Sequence, residues 1–310
     1  MSDTAFNMSR RAMLAGAAAM PIVGAFPSSS LAGAPMLGTK NALFNRIALG
    51  DFEVTTILAA TSSFKNPQNI FGLNATQEAF EAASAAANIP TDKVQFFFTP
   101  TVVNTGSELI LFDTGLSAKG TTAALAEAGY SPDQIDTVVI THMHGDHIGG
   151  LTTKDGTPTY RNARYLTGAT EFDAWGKTGN KTFEKKMRPL AEKTTFIKGG
   201  DAVASGITGM DAFGHTGGHM TFMLESGGKQ VLLGADFANH YVWSLAYPDW
   251  QVKFDQDKEL AAKTRRDILA MLTADKMAMI GYHMPWPALG YVESREDGYR
   301  YVPQSYQMML

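Results

Sequence analysis

The stretch Val138–Leu151, VVITHMHGDHIGGL, joins an apolar, β-branched run to a loop carrying three of the chain's seven histidines and one aspartate. IDTVVITH reads as a buried strand whose C-terminal end delivers the cluster. Crowded imidazoles are costly, because protonated rings repel and each buried ring needs hydrogen-bond partners. A tight loop can turn alternate side chains toward two neighbouring points. His142 and His144 can then serve one cation while Asp146 and His147 serve another. Neutral imidazole and carboxylate are the ligands that zinc accepts where thiolate is missing. This chain has no cysteine, which also excludes disulfides and cysteine nucleophiles.

The same arrangement recurs further along. FGHTGGHM (213–220) carries His215 and His219, LLGADF (232–237) carries Asp236, and IGYHMPWP (280–287) carries His283. In each, a ligand-type residue follows an apolar run beside glycine. Around these segments the pattern is mixed α/β. FEVTTILAA, FFFTPTVVNTGSELILFDTG, ARYLTG, MTFMLES, KQVLLGAD and KMAMIGYH read as strands. Residues 75–88, TTAALAEAGY, ATEFDAWG and 257–275 read as helices, the last with Leu260, Ile268, Met271 and Leu272 on one face. Ser62–Leu73 reads as a Phe- and Asn-rich loop. No repeat and no linker interrupts the chain after residue 42, so residues 35–310 are expected to be one α/β domain.

Residues 1–34 read differently. Arg10 and Arg11 precede an apolar run from Met13 to Phe26 and then small residues. The run has the length of a signal h-region and is too short for a stable membrane anchor. With Ser9 and Met13–Leu14 it resembles a twin-arginine export signal, cleaved after Ala32 or Ala34, and implies a periplasmic or secreted protein. The net charge of −4, from 26 basic and 30 acidic residues, comes without a basic stripe, so no nucleic-acid partner is expected.

His-x-His-x-Asp-His, then Gly-His-Thr, Asp and His, in that order, resembles the metallo-β-lactamase superfamily. Within it, LGDFEVTTI, VVNTGSELILFDTG, AGYSPDQIDTVVITHMHGDHIGGL, GHTGGHMTFMLES and DGYRYVP are most similar to the methyl parathion hydrolase family and its lactonase and arylesterase relatives. The resemblance implies an αββα sandwich, a homodimer and two divalent metals, zinc first. His142, His144 and His215 would hold one metal, Asp146, His147 and His283 the other, and Asp236 would bridge them. Asp146 and Asp236 would be the catalytic carboxylates, working with a hydroxide shared by the metals. Asp113 and His219 would support the ligands, and His240 is left over. Phe64, Phe71, Trp175, Phe237 and Trp286 are the expected pocket residues. Tyr241 is a doubtful leaving-group acid, with Asn239 at the position where some lactonases have a tyrosine.

The expected substrates are neutral, apolar esters: lactones, aryl esters and organophosphate triesters. The alternatives are a metallo-β-lactamase or a glyoxalase II-like thioesterase, and, outside enzymes, a metal-binding module without turnover. The missing cysteine argues against one β-lactamase class and Asp236 against the other. A thioesterase would want a basic helical extension, a zinc ribonuclease a basic arm, and a flavodiiron protein glutamate in place of His144. A non-catalytic module would have lost ligands, and none is missing.

Overall fold

The computed structural model describes residues 40–296 and 298–305, together with Met36 and Gly38. The export signal expected in residues 1–34 lies outside them. From residue 41 the chain forms β1 (Phe44–Leu49), β2 (Phe52–Ile57), β3 (Ala60–Lys65), α1 (Gln77–Ala86), β4 (Lys93–Phe98), β5 (Thr101–Asn104) and β6 (Leu109–Phe112). Then come α2 (Ala118–Glu127), β7 (Thr137–Ile140), α3 (Gly145–Ile148), β8 (Arg164–Gly168), α4 (Ala169–Trp175), α5 (Lys181–Lys186) and β9 (Thr194–Ile197). The second half runs β10 (Ala202–Ala204), β11 (Ile207–Asp211), β12 (Met220–Ser226), β13 (Lys229–Ala235), α6 (Lys258–Ala274), β14 (Ala278–Gly281), β15 (Leu289–Arg295) and β16 (Gly298–Pro303).

Two seven-stranded sheets result, β1-β2-β5-β6-β7-β8-β9 and β10 to β16 in sequence order. Their inner faces meet through Val54, Val103, Ile110, Val139 and Leu166 on one side and Phe222, Leu224, Leu233 and Ile280 on the other. The outer face of the first sheet is covered by α2 and α4, with Leu125 and Phe172 among the contacts. That of the second is covered by α6 through Ile268, Leu269 and Leu272. This is the αββα sandwich. Strand β7 shows why its sequence is apolar without alternation: Val138 and Ile140 join the helix-side core, while Val139 joins the core between the sheets. A strand covered on both faces needs apolar residues at every position.

The parallel pairs place the site. β7 runs parallel to β6 and β8, and β13 runs parallel to β14. The C-terminal ends of such strands are where an α/β sheet opens into a crevice. They carry Asp113, the 142–147 loop, Asp236 and His283.

Two expectations need correction. Ser62–Leu73 is not all loop, because Ala60–Lys65 pairs with β4 as a separate hairpin. Alternation along Ser62–Phe64 is too short to announce a strand that the aromatic run of β4 recruits. The buried face of α6 is Ala261, Arg265, Ile268, Leu269 and Leu272, while Leu260 is 39 % exposed. Counting only apolar residues hid an arginine whose charge is paired inside.

Candidate metal centre

The loop after β7 carries its ligands on a rigid frame. Asp113 follows β6 with φ 60°, and its carboxylate accepts from the Thr141 N–H at 2.9 Å, the Thr141 hydroxyl at 2.9 Å and His147 Nδ1 at 2.8 Å. Ala235, just before Asp236, also sits at positive φ, 49°. Non-glycine residues are rarely held there, and such strain clusters at functional sites. Glu171 ties the two histidine loops together, accepting from Met143 N, the Thr216 hydroxyl and Gly218 N. Gly218 must be glycine, since a Cβ there would lie 2.2 Å from Glu171 N.

The outer hydrogen bonds decide which ring nitrogens face inward. Thr141 Oγ1 donates to Asp113, so at 3.1 Å it accepts from His142 Nδ1. His215 Nδ1 donates to Asp255 Oδ1 at 2.8 Å, and Asp255 Oδ2 accepts from Arg265 at 2.8 Å. His142 Nε2 and His215 Nε2 are thereby turned inward, and both lie 3.0 Å from His144 Nδ1. One proton on His144 could serve only one of them. Burial and neighbouring imidazoles lower His142 and hold His144 down at about 3, so neither ring is positively charged at neutral pH. Ring nitrogens converging in this way could hold a cation.

The second group faces Asp236 from the other side. His147 donates outward to Asp113, and its Nε2 lies 3.3 Å from Asp236 Oδ1. Both of those atoms are buried and lack any hydrogen-bond partner among the described residues. His283 donates from Nδ1 to Phe97 O at 2.8 Å and turns Nε2 to Asp236 Oδ2 at 3.2 Å and Asp146 Oδ2 at 3.4 Å. Burial alone would lower His283, but the two carboxylates hold it up at about 10. Candidate ligand atoms of His142, His144, His215 and Asp236 all lie within 4.8 Å of one another, as do those of Asp146, His147, Asp236 and His283. Asp236 is common to both groups. The orphaned atoms, the inward-turned nitrogens and the shared carboxylate fit two divalent cations.

His219 sits behind this set. Its Nδ1 donates to Ala212 O at 3.1 Å, and its Nε2 accepts from Asp236 N at 3.1 Å. Burial and the nearby His215 hold it down at about 3, in keeping with a neutral ring that fixes the Asp236 backbone. Asn239 donates to Asp236 Oδ2 at 3.0 Å. Neither enters the two ligand groups.

With this geometry in view, the comparisons with known proteins converge. The family model described as "Metallo-beta-lactamase superfamily" matches residues 99–281. The chain belongs to that superfamily. AidC, a dizinc quorum-quenching lactonase solved with its product, superposes with a TM-score of 0.79 at 23% identity, covering 86% of this chain and 99% of that one. The hydrolase AbOPH superposes with a TM-score of 0.80 at 23% identity, over 86% and 99%. These two are likenesses of fold. Among curated proteins, the exodeoxyribonuclease WalJ of Streptococcus pneumoniae is 40% identical over 65 residues, 20% of this chain and 24% of that protein. The ribonuclease Z of Pyrococcus furiosus is 45% identical over 49 residues, 16% and 15% of the two chains. The chain thus spans about a quarter or less of the curated relatives it matches.

Above the ligands opens a cleft of about 510 Å³, lined by Phe64, Phe96, Phe98, Phe254, Leu116 and Lys186 with His144, Asp146, Asp236 and His283. Of the expected pocket residues, only Phe64 lies on it. Phe71 is fully buried between Phe96 and Trp243, in a cluster behind the hairpin. Phe237 is packed in the core under α6. Trp175 stands edge-on to His144 at 5.6 Å but lies in the helix-side core. Trp286 is half-buried and does not line the cleft. For Phe237, next to Asp236, proximity in sequence to a candidate ligand misled, because neighbouring side chains at a strand end point to opposite sides. Glu171, Asp255, Arg265, Phe96, Phe98, Phe254 and Lys186 were not foreseen. The helical spacing of Arg265 with Ile268 and Leu272 in α6 was the one signal available for Asp255.

Proposed function

We propose that this chain is a dinuclear metal hydrolase of neutral, apolar esters: lactones and aryl esters, with organophosphate triesters such as methyl parathion as a second activity. The observation that carries this is one carboxylate, Asp236, shared by two ligand groups on the floor of an aromatic cleft. Two divalent ions, zinc first, would supply Lewis acidity and a water of lowered pKa. The chain does the rest. Asp113, Asp255 and Phe97 O fix the outer ring nitrogens, so the inner ones are set before metal arrives. Asn239 and His219 hold the Asp236 carboxylate and backbone. Phe64, Phe96 and Phe98 present apolar surface to a substrate and exclude water.

Lys186 is the one lysine or arginine among the described residues lining the cleft, and its Nζ donates to Thr152 O at 2.5 Å. A nucleic acid or another multiply charged anion would want more cations there. This favours the ester reading over the nuclease activities named for the curated relatives. Export by the twin-arginine signal, a periplasmic or secreted location and a homodimeric state belong to the same proposal.

The test pairs elemental analysis of gently purified protein with a screen over lactones, aryl esters, phosphotriesters, β-lactams and thioesters. Two metals per chain and preference for the first three classes are expected. Far faster turnover of β-lactams or thioesters would overturn the substrate reading, and one metal or none would overturn the dinuclear site.

A further inference from the structure

The β3–β4 hairpin has two faces, and only one looks into the metal cleft. Phe64, Phe96 and Phe98 do so, while Ser63, Gln95 and Phe97 line a separate cavity of about 340 Å³ on the other face. Its wall is mainly apolar, with Ile89, Phe97, Trp243 and Pro285. His240, only 7 % exposed, lies in that wall, its ring stacked on Trp243 at 4.0 Å.

The protonation of His240 follows from its partners. Nδ1 accepts from Val242 N at 3.1 Å and from Trp243 N at 3.2 Å. Burial holds the ring at about 3, so it is neutral and its single proton sits on Nε2. That N–H has no partner among the described residues. The ring is buried in the wall, while this nitrogen stays accessible to the cavity and can donate to an acceptor there. Lys93, exposed at the start of β4, adds an ammonium group to the same cavity, and none of the lining residues is an aspartate or glutamate. The cavity therefore offers one neutral donor on a buried ring, one cation and apolar walls of small-molecule size.

We propose that this cavity binds a small apolar carboxylate. Its ring or acyl chain packs against Phe97, Ile89 and Trp243, its carboxylate accepts from the His240 Nε2–H, and Lys93 is the counter-ion. The site is distinct from the metal cleft, although His283 contributes to both walls. It stands whichever ester the cleft hydrolyses.

The probe is 4-bromobenzoate, titrated into the metal-loaded full chain with tryptophan fluorescence as readout, and located in crystals by the anomalous signal of bromine. Saturable quenching and a bromine peak between Phe97 and Trp243 are expected. His240→Asn keeps an acceptor near the position of Nδ1 for the two backbone N–H groups and removes the Nε2–H. It should weaken binding about tenfold or more without changing metal content. Lys93→Ala, at an exposed position, should weaken it several-fold at low salt and by less at high salt. If His240→Asn does not fold, the lysine variant carries the comparison. Bromine at the metal cleft alone, binding at crystal concentration only, or quenching that neither variant alters would each overturn the proposal.

Discussion

The floor and the rim of the cleft are built on different principles. On the floor, His142, His147, His215 and His283 each have a buried or backbone partner for the outward nitrogen, and Asp236 is steadied by Asn239 and His219. On the rim, Phe64, Leu116 and Phe254 are 41 %, 43 % and 37 % exposed, and apolar contact holds them. The floor is pre-organised and sets the chemistry. The rim rests on apolar contact alone, so on the proposed reading it can be exchanged with little effect on the metals and selects the ester. The contrast gives a graded series of expected effects.

The largest effect belongs to the floor. His144→Ala or Asp236→Ala should lose at least one metal and essentially all turnover, read by elemental analysis beside a rate assay. Full metal content with full activity in either variant would remove the shared-carboxylate site.

Asp255→Asn comes next. It takes a charge from the His215 support and leaves Arg265 buried without its counter-ion. Breaking a buried pair from one side costs about 3–5 kcal/mol, so denaturant unfolding should show a loss of that size. Weaker metal binding should accompany it. A variant as stable as the parent would mean that the carbonyls of Phe237 and Pro248, which Arg265 also reaches, suffice for it.

His219→Ala should weaken metal affinity or activity by about 10–100-fold, the usual cost of losing a group behind a ligand. Damage equal to that of His215→Ala would show that the two histidines had been assigned in the wrong order.

The pH dependence of metal uptake has a definite sign. His283 is held up at about 10, so the metal-free chain carries its proton at neutral pH, and a cation must displace it. Affinity should therefore rise with pH, by about tenfold per unit for each proton released, in chelator competition between about pH 6 and 8. A flat profile would remove His283 from the ligand set.

The smallest effect belongs to the rim. Phe64→Ala or Phe254→Ala should leave metal content and stability nearly unchanged and lower kcat/KM for bulky apolar esters by roughly threefold to tenfold, the scale of a partly exposed apolar contact. An effect confined to small polar esters would argue that these rings do not bind the acyl or leaving group.

The candidate ligand groups around Asp236 were marked in the linear order because His142, Asp236 and His283 follow the apolar strands β7, β13 and β14 and His215 stands beside Gly214, local patterns that survive folding. The layered α/β architecture was legible for the same reason, from β7 and α6 in particular. The supports were not. Glu171 reaches Gly218, 47 residues away, and Asp255 reaches His215, 40 residues away, through space, and nothing near them in sequence marks them as partners. The rim was misread because Phe71 and Phe237 are as aromatic as Phe96 and Phe98, and only strand register decides which face the cleft.

By itself, then, the sequence determined the family and the candidate ligand types, because coordination chemistry restricts residue type and spacing. The tertiary structure alone decided which nitrogens turn inward, which aromatics line the cleft and which pack behind it. It also decided that His240 turns a lone donor into a second cavity. Those properties depend on direction in space, which hydrogen bonds and alternate strand faces set only once distant segments have met.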